Sequence, residues 1–278
     1  MSTFVSFDPQ EADAAFGRAP FRVRHTLSDH PLFTLEALAQ LADRLPEDAV
    51  EHNLGSVKAE ELSGEVPQLD ASPGEIVRGI ETNGSWIVLP FLDRTPPYDA
   101  IYTQILDDVA SLVPGGRQKM SKFHSVVFLA APNSTTPSHV DPEMGFLLHL
   151  RGEKRLSIGS FEGPEVERTE LERFHGGGHR NTKVPVGVTD YDLRSGDGVH
   201  VPPNVPHVVV NGPEVAVSLS VGFQTPDNLR RNGVHKFNAR VRRLGIEPKP
   251  LGSSPTRDRA KASTLWAAAS VAERLRRK

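Results

Sequence analysis

The chain of 278 residues contains no cysteine. Disulfides, thiolate-bound zinc, iron–sulfur clusters and a cysteine nucleophile are thereby excluded, and any metal must sit on His, Asp, Glu or water. Long apolar runs are missing as well, and nothing approaches the roughly 20 residues needed to cross a bilayer. The opening MSTFVSFDPQEADAAF lacks the basic start and apolar centre of a secretory signal. A soluble cytoplasmic protein without membrane association is the expectation. There is no internal repeat and no low-complexity tract. Gly176-Gly177-Gly178 lacks the Lys and Ser/Thr of a phosphate-binding loop and reads as flexibility.

Hydrophobic residues make up 37% and charged residues 24%, enough for a packed core, while 23 glycines and 23 prolines point to many turns and β-rich structure. The net charge of −3 hides an asymmetry: residues 228–278 hold 14 Lys/Arg against three acidic residues, a net of +11, and the remainder carries −14. A basic tail can meet nucleic acid. The simpler reading, adopted here, is that it folds back on the acidic body or lies solvated on a helix.

Three regions follow. Residues 1–118 form an N-terminal flank, helical and mixed. Thr34 is placed to cap a helix carrying Leu35, Leu38, Leu41 and Leu45; a short helix begins near Pro73; Trp86 to Leu89 reads as a strand; Tyr98, Ile101, Ile105, Val109 and Leu112 share a helix face. Residues 119–227 hold seven or eight short strands separated by turn signals, which suggest a sandwich, jelly roll or barrel. Within them, residues 160–185 read as a long polar loop that could serve as a lid. Residues 228–278 are basic and helical, with Leu265, Ala268, Ala272 and Leu275 on one face of a final helix.

The informative segment is Thr136-Pro137-Ser138-His139-Val140-Asp141, answered by His207 after Val201-Pro202-Pro203. In extended chain, residues two apart point the same way. His139 and Asp141 thus share a face, with Val140 opposite, and a histidine from a distant strand completes two imidazoles and a carboxylate on one side of a metal. This facial triad with open positions characterises non-haem iron(II) oxygenases and leaves room for a bidentate 2-oxoacid and O2. Lys154 shares a strand face with Leu156 and Ile158, and a lysine in an apolar interior needs an anionic partner. The distal carboxylate of 2-oxoglutarate would be one, and the Thr136 hydroxyl could donate to the same group. Each residue also has a plainer reading: a hydrogen-bonded surface pair for His139 and Asp141, a solvated strand residue for Lys154, a turn residue for Thr136. His149 and His200 read as strand residues with local hydrogen bonds, His200 near enough to His207 to line the site. The glycines between His175 and His179 argue against a second metal site there.

The runs TTPSHVDPEMGFLLHLRGEKRLSI and GDGVHVPPNVPHVVVNGPEVAVSLSVGF resemble the Jumonji-C-like (cupin-8) hydroxylases over roughly residues 119–223. The resemblance implies a mainly β fold, a double-stranded β-helix (jelly roll, cupin) with flanking N- and C-terminal helices. It implies Fe(II) on His139, Asp141 and His207, and 2-oxoglutarate on Thr136 and Lys154, with O2 as co-oxidant. Asparagines that the asparaginyl hydroxylase of this family places near its oxoglutarate fall here on Gly145 and Gly222, so Ser218 or Ser220 must complete the pocket differently. Asp141 is retained, which favours hydroxylation over halogenation. The implied substrate is an amino-acid side chain in a protein or peptide. A free amino acid or natural product is the alternative, and a metal-binding cupin regulator without turnover is another. Relatives dimerise through C-terminal helices, and residues 262–277 could do so.

Overall fold

A computed structural model describes residues 3–54 and 69–264. Among the described residues twelve strands follow in chain order: β1 (Val5–Phe7), β2 (Phe21–His25), β3 (Glu51–Leu54), β4 (Ser85–Pro90), β5 (Ser121–Ala130), β6 (Thr135–His139), β7 (Met144–Arg151), β8 (Glu153–Ser160), β9 (Val186–Arg194), β10 (Asp197–Val201), β11 (His207–Asn211) and β12 (Ala216–Gln224). They form an eight-stranded sheet, β1-β2-β10-β7-β12-β5-β4-β3, and a four-stranded sheet, β6-β11-β8-β9. Every pairing is antiparallel. The fold is mainly β, with β5, β12, β7 and β10 facing the four-stranded sheet as the two halves of a double-stranded β-helix. The strands of the N-terminal flank lengthen the larger sheet at both edges.

Side-chain alternation assigns each face of that larger sheet. After a first helix, α1 (Pro9–Ala15), come α2 (Leu35–Ala42), α3 (Pro73–Arg78) and α4 (Tyr98–Asp108), and on β7 Met144, Phe146, Leu148 and Leu150 join a core shared with α2, α3 and α4. Gly145, Leu147 and His149 take the opposite face, toward the barrel interior. On β12, Val217, Leu219, Val221 and Phe223 face the helices, while Ser218, Ser220 and Gly222 face inward. A second apolar cluster, Leu156, Ile158, Leu193, Val199, Val201 and Val209, fills the barrel. Thr34 caps its helix as expected, its Oγ1 accepting from the Ala37 N–H at 3.2 Å, and the helix expected near Pro73 is capped by Ser72, which forms a reciprocal capping box with Glu75. The α4 helix ends at Asp108 and yields to a separate 3-10 turn, Ala110–Leu112, so the expected longer helix is broken before Pro114.

The chain divides into two compact units, Met1–Ser160 with Asn181–Gln224, and Phe161–Arg180 with Thr225–Lys278. The second corrects the reading of residues 160–185 as a loop, because Pro164–His175 is a helix, α5. Its signals are electrostatic: Pro164 in the first turn, Glu165 and Glu167 near the N-terminus, Arg173 and His175 at the C-terminal end. Only Leu171 and Glu172 are buried, so no apolar stripe betrays it. It packs on α6 (Pro226–Arg242) through a polar interior. The buried Glu172 carboxylate accepts from Asn238 Nδ2 at 3.2 Å and from Arg242 Nε at 2.9 Å, and Lys261 Nζ donates to Asn238 Oδ1 at 2.9 Å. Residues 255–264 are helical. The face with Leu265, Ala268, Ala272 and Leu275 lies outside the described residues. Among the described residues no helix is long and apolar enough to cross a membrane.

Candidate metal centre

Strand pairing brings the two ligand-bearing segments together. On β6 and β11, His139 lies directly opposite His207, and Val209 lies opposite Thr136. Two residues of β11 are therefore spanned by three of β6. This irregularity turns Thr136 to the same inner face as His139 despite their odd spacing. Asp141 follows β6, and its carbonyl accepts from the Asn204 N–H at 2.7 Å. Asn204 has φ of 64°, in the turn that leads into β11, so one backbone bond locks the carboxylate-bearing segment to the turn before His207.

His139 Nε2 lies 3.9 Å and His207 Nε2 3.6 Å from Asp141 Oδ2, and the two imidazole centroids are 4.1 Å apart. Among the described residues this is the one cluster of three His, Asp or Glu side chains arranged to hold a metal ion. Both imidazoles are buried, whereas the Asp141 side chain is about one-third exposed, which leaves the centre reachable on the carboxylate side. The tautomers are set locally: His139 Nδ1–H donates to the Pro137 carbonyl at 2.8 Å, and His207 Nδ1–H to the Val205 carbonyl at 2.9 Å. Each bond leaves the Nε2 lone pair directed at the centre. Two neutral imidazoles and one carboxylate suit a divalent first-row metal, with coordination positions to spare for exogenous ligands.

Lys154 faces inward on β8. It pairs with Asn211 across β11 and with Leu193 across β9, in the row of alternate residues that also presents Leu156 and Ile158. Ile158 in turn pairs with His207. The side chain is 8% exposed, and burial pulls its pKa from 10.5 to about 7. No hydrogen bond or ion pair forms at its ammonium among the described residues. A cation so placed is costly until an anion joins it. The solvated-strand reading of Lys154 is thereby excluded.

His200 is a strand residue with local hydrogen bonds, as expected, but its nearness to His207 in sequence does not bring it to the site. It lies on the helix-facing side of β10, packed against Phe16, Phe21 and Phe146, and so does not line the site. Its Nδ1–H donates to the Gly145 carbonyl at 2.9 Å and its Nε2 accepts from the Gly17 N–H at 3.1 Å, while burial holds its pKa at about 3. It is a neutral clamp. Gly145 and Gly222 pair with each other across β7 and β12, so both positions expected to lack an amide side chain lie side by side on the inner face. His175 ends α5 and stacks on His235 at 5.6 Å, with His179 beyond the helix. The sequence reading named His149 and Ser218 separately, one as a strand residue with local hydrogen bonds and the other as a pocket candidate, but missed that they pair, both fully buried, at 3.0 Å on the inner face near Lys154. Opposition of residues on β7 and β12, the signal that joins them, exists only once register is known.

A double-stranded β-helix with an inward His-Asp-His set is an arrangement suited to a metal-dependent cupin, and two comparisons with known proteins bear on it. Residues 115–230 match the model of the JmjC domain family. No curated protein matches it by sequence. Among solved structures it is similar to Escherichia coli YcfD. The X-ray structure of that protein is 18% identical with a TM-score of 0.55, over 92% of this chain and 63% of that one. A second structure, of the E. coli ribosomal oxygenase YcfD, is 15% identical with a TM-score of 0.56, over 97% and 68%. A third, of YcfD with cobalt and 2-oxoglutarate, is 17% identical with a TM-score of 0.55, over 91% and 62%. The chain thus spans somewhat under two-thirds of the length of the first of these, and the likeness is one of fold.

Proposed function

We propose that the protein is an Fe(II)- and 2-oxoglutarate-dependent dioxygenase that hydroxylates a C–H bond of an amino-acid side chain in a protein or peptide. The observation that carries this reading is the pairing of a His139–Asp141–His207 set with an unpaired, buried Lys154 on the same inner face. His139, Asp141 and His207 would hold the metal. Lys154, with the Thr136 hydroxyl, would receive the distal carboxylate of 2-oxoglutarate. Bound iron would couple the conversion of 2-oxoglutarate and O2 to succinate and CO2 with transfer of one oxygen atom to the substrate.

The chain's own contribution is positional. The backbone bonds at His139 and His207 hold both imidazoles in the ligating tautomer without help from the metal. Leu156, Val199, Val201 and Val209 belong to the buried apolar cluster of the barrel, an interior poor in competing polar groups. The ammonium rewards an oxoacid that carries a second carboxylate, a need that a metal-binding regulator without turnover does not have. That the similar E. coli protein has been crystallised with cobalt and 2-oxoglutarate supports the cosubstrate, and its description as a ribosomal oxygenase supports a protein substrate.

The test is succinate release from 2-oxoglutarate with Fe(II), ascorbate and O2, followed by mass spectrometry of ribosomal proteins for the gain of one oxygen atom. Absence of succinate, together with absence of any thermal shift from 2-oxoglutarate, would overturn the reading.

A further inference from the structure

The inner end of the barrel holds more unmet hydrogen-bonding capacity than Lys154 alone. His149 and Ser218 are both fully buried, and His149 Nδ1 meets Ser218 Oγ at 3.0 Å. The other ring nitrogen, Nε2, is buried without a hydrogen-bond partner. Asn211, opposite Lys154 in the β8–β11 register, donates through Nδ2 to the Ser134 carbonyl and hydroxyl at 3.2 and 3.0 Å, and its Oδ1 is buried and unpartnered. Three inward residues thus each carry a group without a hydrogen-bond partner: the Lys154 ammonium, the His149 Nε2 and the Asn211 Oδ1. Native interiors rarely leave such groups unpaired.

One ligand group satisfies the set. We propose that His149, held as the Nε2–H tautomer by the Ser218 hydroxyl, donates a second hydrogen bond to the distal carboxylate of the oxoacid bound by Lys154. Ser218 Oγ–H donates to Nδ1, so Nε2 carries the proton and turns it to one carboxylate oxygen. Lys154 Nζ–H donates one hydrogen bond to the carboxylate and a second to Asn211 Oδ1, which closes the network. A neutral imidazole is required beside an ammonium, and burial together with the Lys154 charge holds the His149 pKa at about 3. This replaces the amide side chains absent at Gly145 and Gly222, and it assigns Ser218 a role through His149 rather than on the ligand. The inference rests on the oxoglutarate reading above.

The experiment is isothermal titration of Mn(II)-loaded protein with 2-oxoglutarate and, separately, with oxalate, which offers the chelating end alone. His149→Leu is expected to raise the Kd for 2-oxoglutarate by about tenfold or more and leave that for oxalate unchanged. His149→Gln, whose amide nitrogen can reach the Nε2 position, is expected to restore most of the affinity. Ser218→Ala should weaken 2-oxoglutarate by a few-fold, and it decides the matter if His149→Leu does not fold. Equal 2-oxoglutarate affinity in wild type, His149→Leu and Ser218→Ala overturns this inference and leaves the oxygenase reading intact. Parallel loss of both ligands overturns it too, since that marks structural damage. A wild type that binds oxalate and ignores 2-oxoglutarate overturns the oxoglutarate reading itself.

Discussion

Replacing Lys154 with methionine separates a binding cation from a structural one. The two side chains are alike in length and volume, so the packing of Leu156, Ile158 and Leu193 around the position is retained. With no partner in the free protein, the ammonium is held at a pKa of about 7 by burial alone, against 10.5 in the unfolded chain. The folded pKa is the lower one, so between about pH 7 and 10.5 the unfolded chain holds the extra proton. Wild-type stability then rises with pH across that window, by about 1.4 kcal/mol per unit, and below it the folded protein bears the full cost, on the order of 5 kcal/mol. Lys154→Met removes this cost. Without cosubstrate the variant should exceed wild type at neutral pH by up to about 4 kcal/mol, roughly 10 °C in Tm for a unit of this size, and the gap should close toward pH 10. Affinity for 2-oxoglutarate should move the other way, with loss of a charge-assisted bond worth about 2–3 kcal/mol and a Kd at least 30-fold higher. Denaturation curves from about pH 6 to 10, paired with titration of 2-oxoglutarate, read both quantities. A variant less stable than wild type at neutral pH, with oxoglutarate affinity intact, would refute the reasoning.

The same linkage makes cosubstrate binding take up a proton. Above about pH 7 the Kd for 2-oxoglutarate should rise by up to tenfold per unit, and titrations in buffers of different ionisation enthalpy should report about half a proton absorbed at pH 7. Asp141→Ala should abolish stoichiometric Mn(II) or Co(II) binding, measured by elemental analysis, and cut succinate release by at least about a thousandfold while the circular dichroism spectrum is unchanged. Thr136→Val should weaken 2-oxoglutarate about fivefold, the worth of one hydrogen bond, with kcat preserved. In the second unit, Glu172→Ala leaves Arg242 and Asn238 without their buried acceptor. It should cost about 2–3 kcal/mol and accelerate amide exchange in α5 and α6, with oxoglutarate affinity untouched.

Much of the site was legible in the sequence because its logic is local or periodic. His139 and Asp141 needed only the two-residue alternation of extended chain, and Lys154 was marked by Leu156 and Ile158 on the same face. Thr34 announced its helix by capping chemistry, and Pro73 by the fit of proline to a first helical turn. The α5 helix was illegible for a matching reason: Glu172 is buried through ion pairing with Arg242, a partner some 70 residues away, and hydrophobic periodicity carries no trace of it.

Residue type and spacing, then, determined which atoms could bind a metal and an oxoacid, since donor chemistry belongs to the side chain and facing is a property of the strand. Only tertiary structure decided which of them meet. The β6–β11 register sets His139 against His207 and turns Thr136 inward through a bulge. The β7–β12 register hands Ser218 to His149, and the outward face of β10 removes His200 from the site. Register between strands is a long-range choice made by the whole packed core, and no short window of sequence contains it.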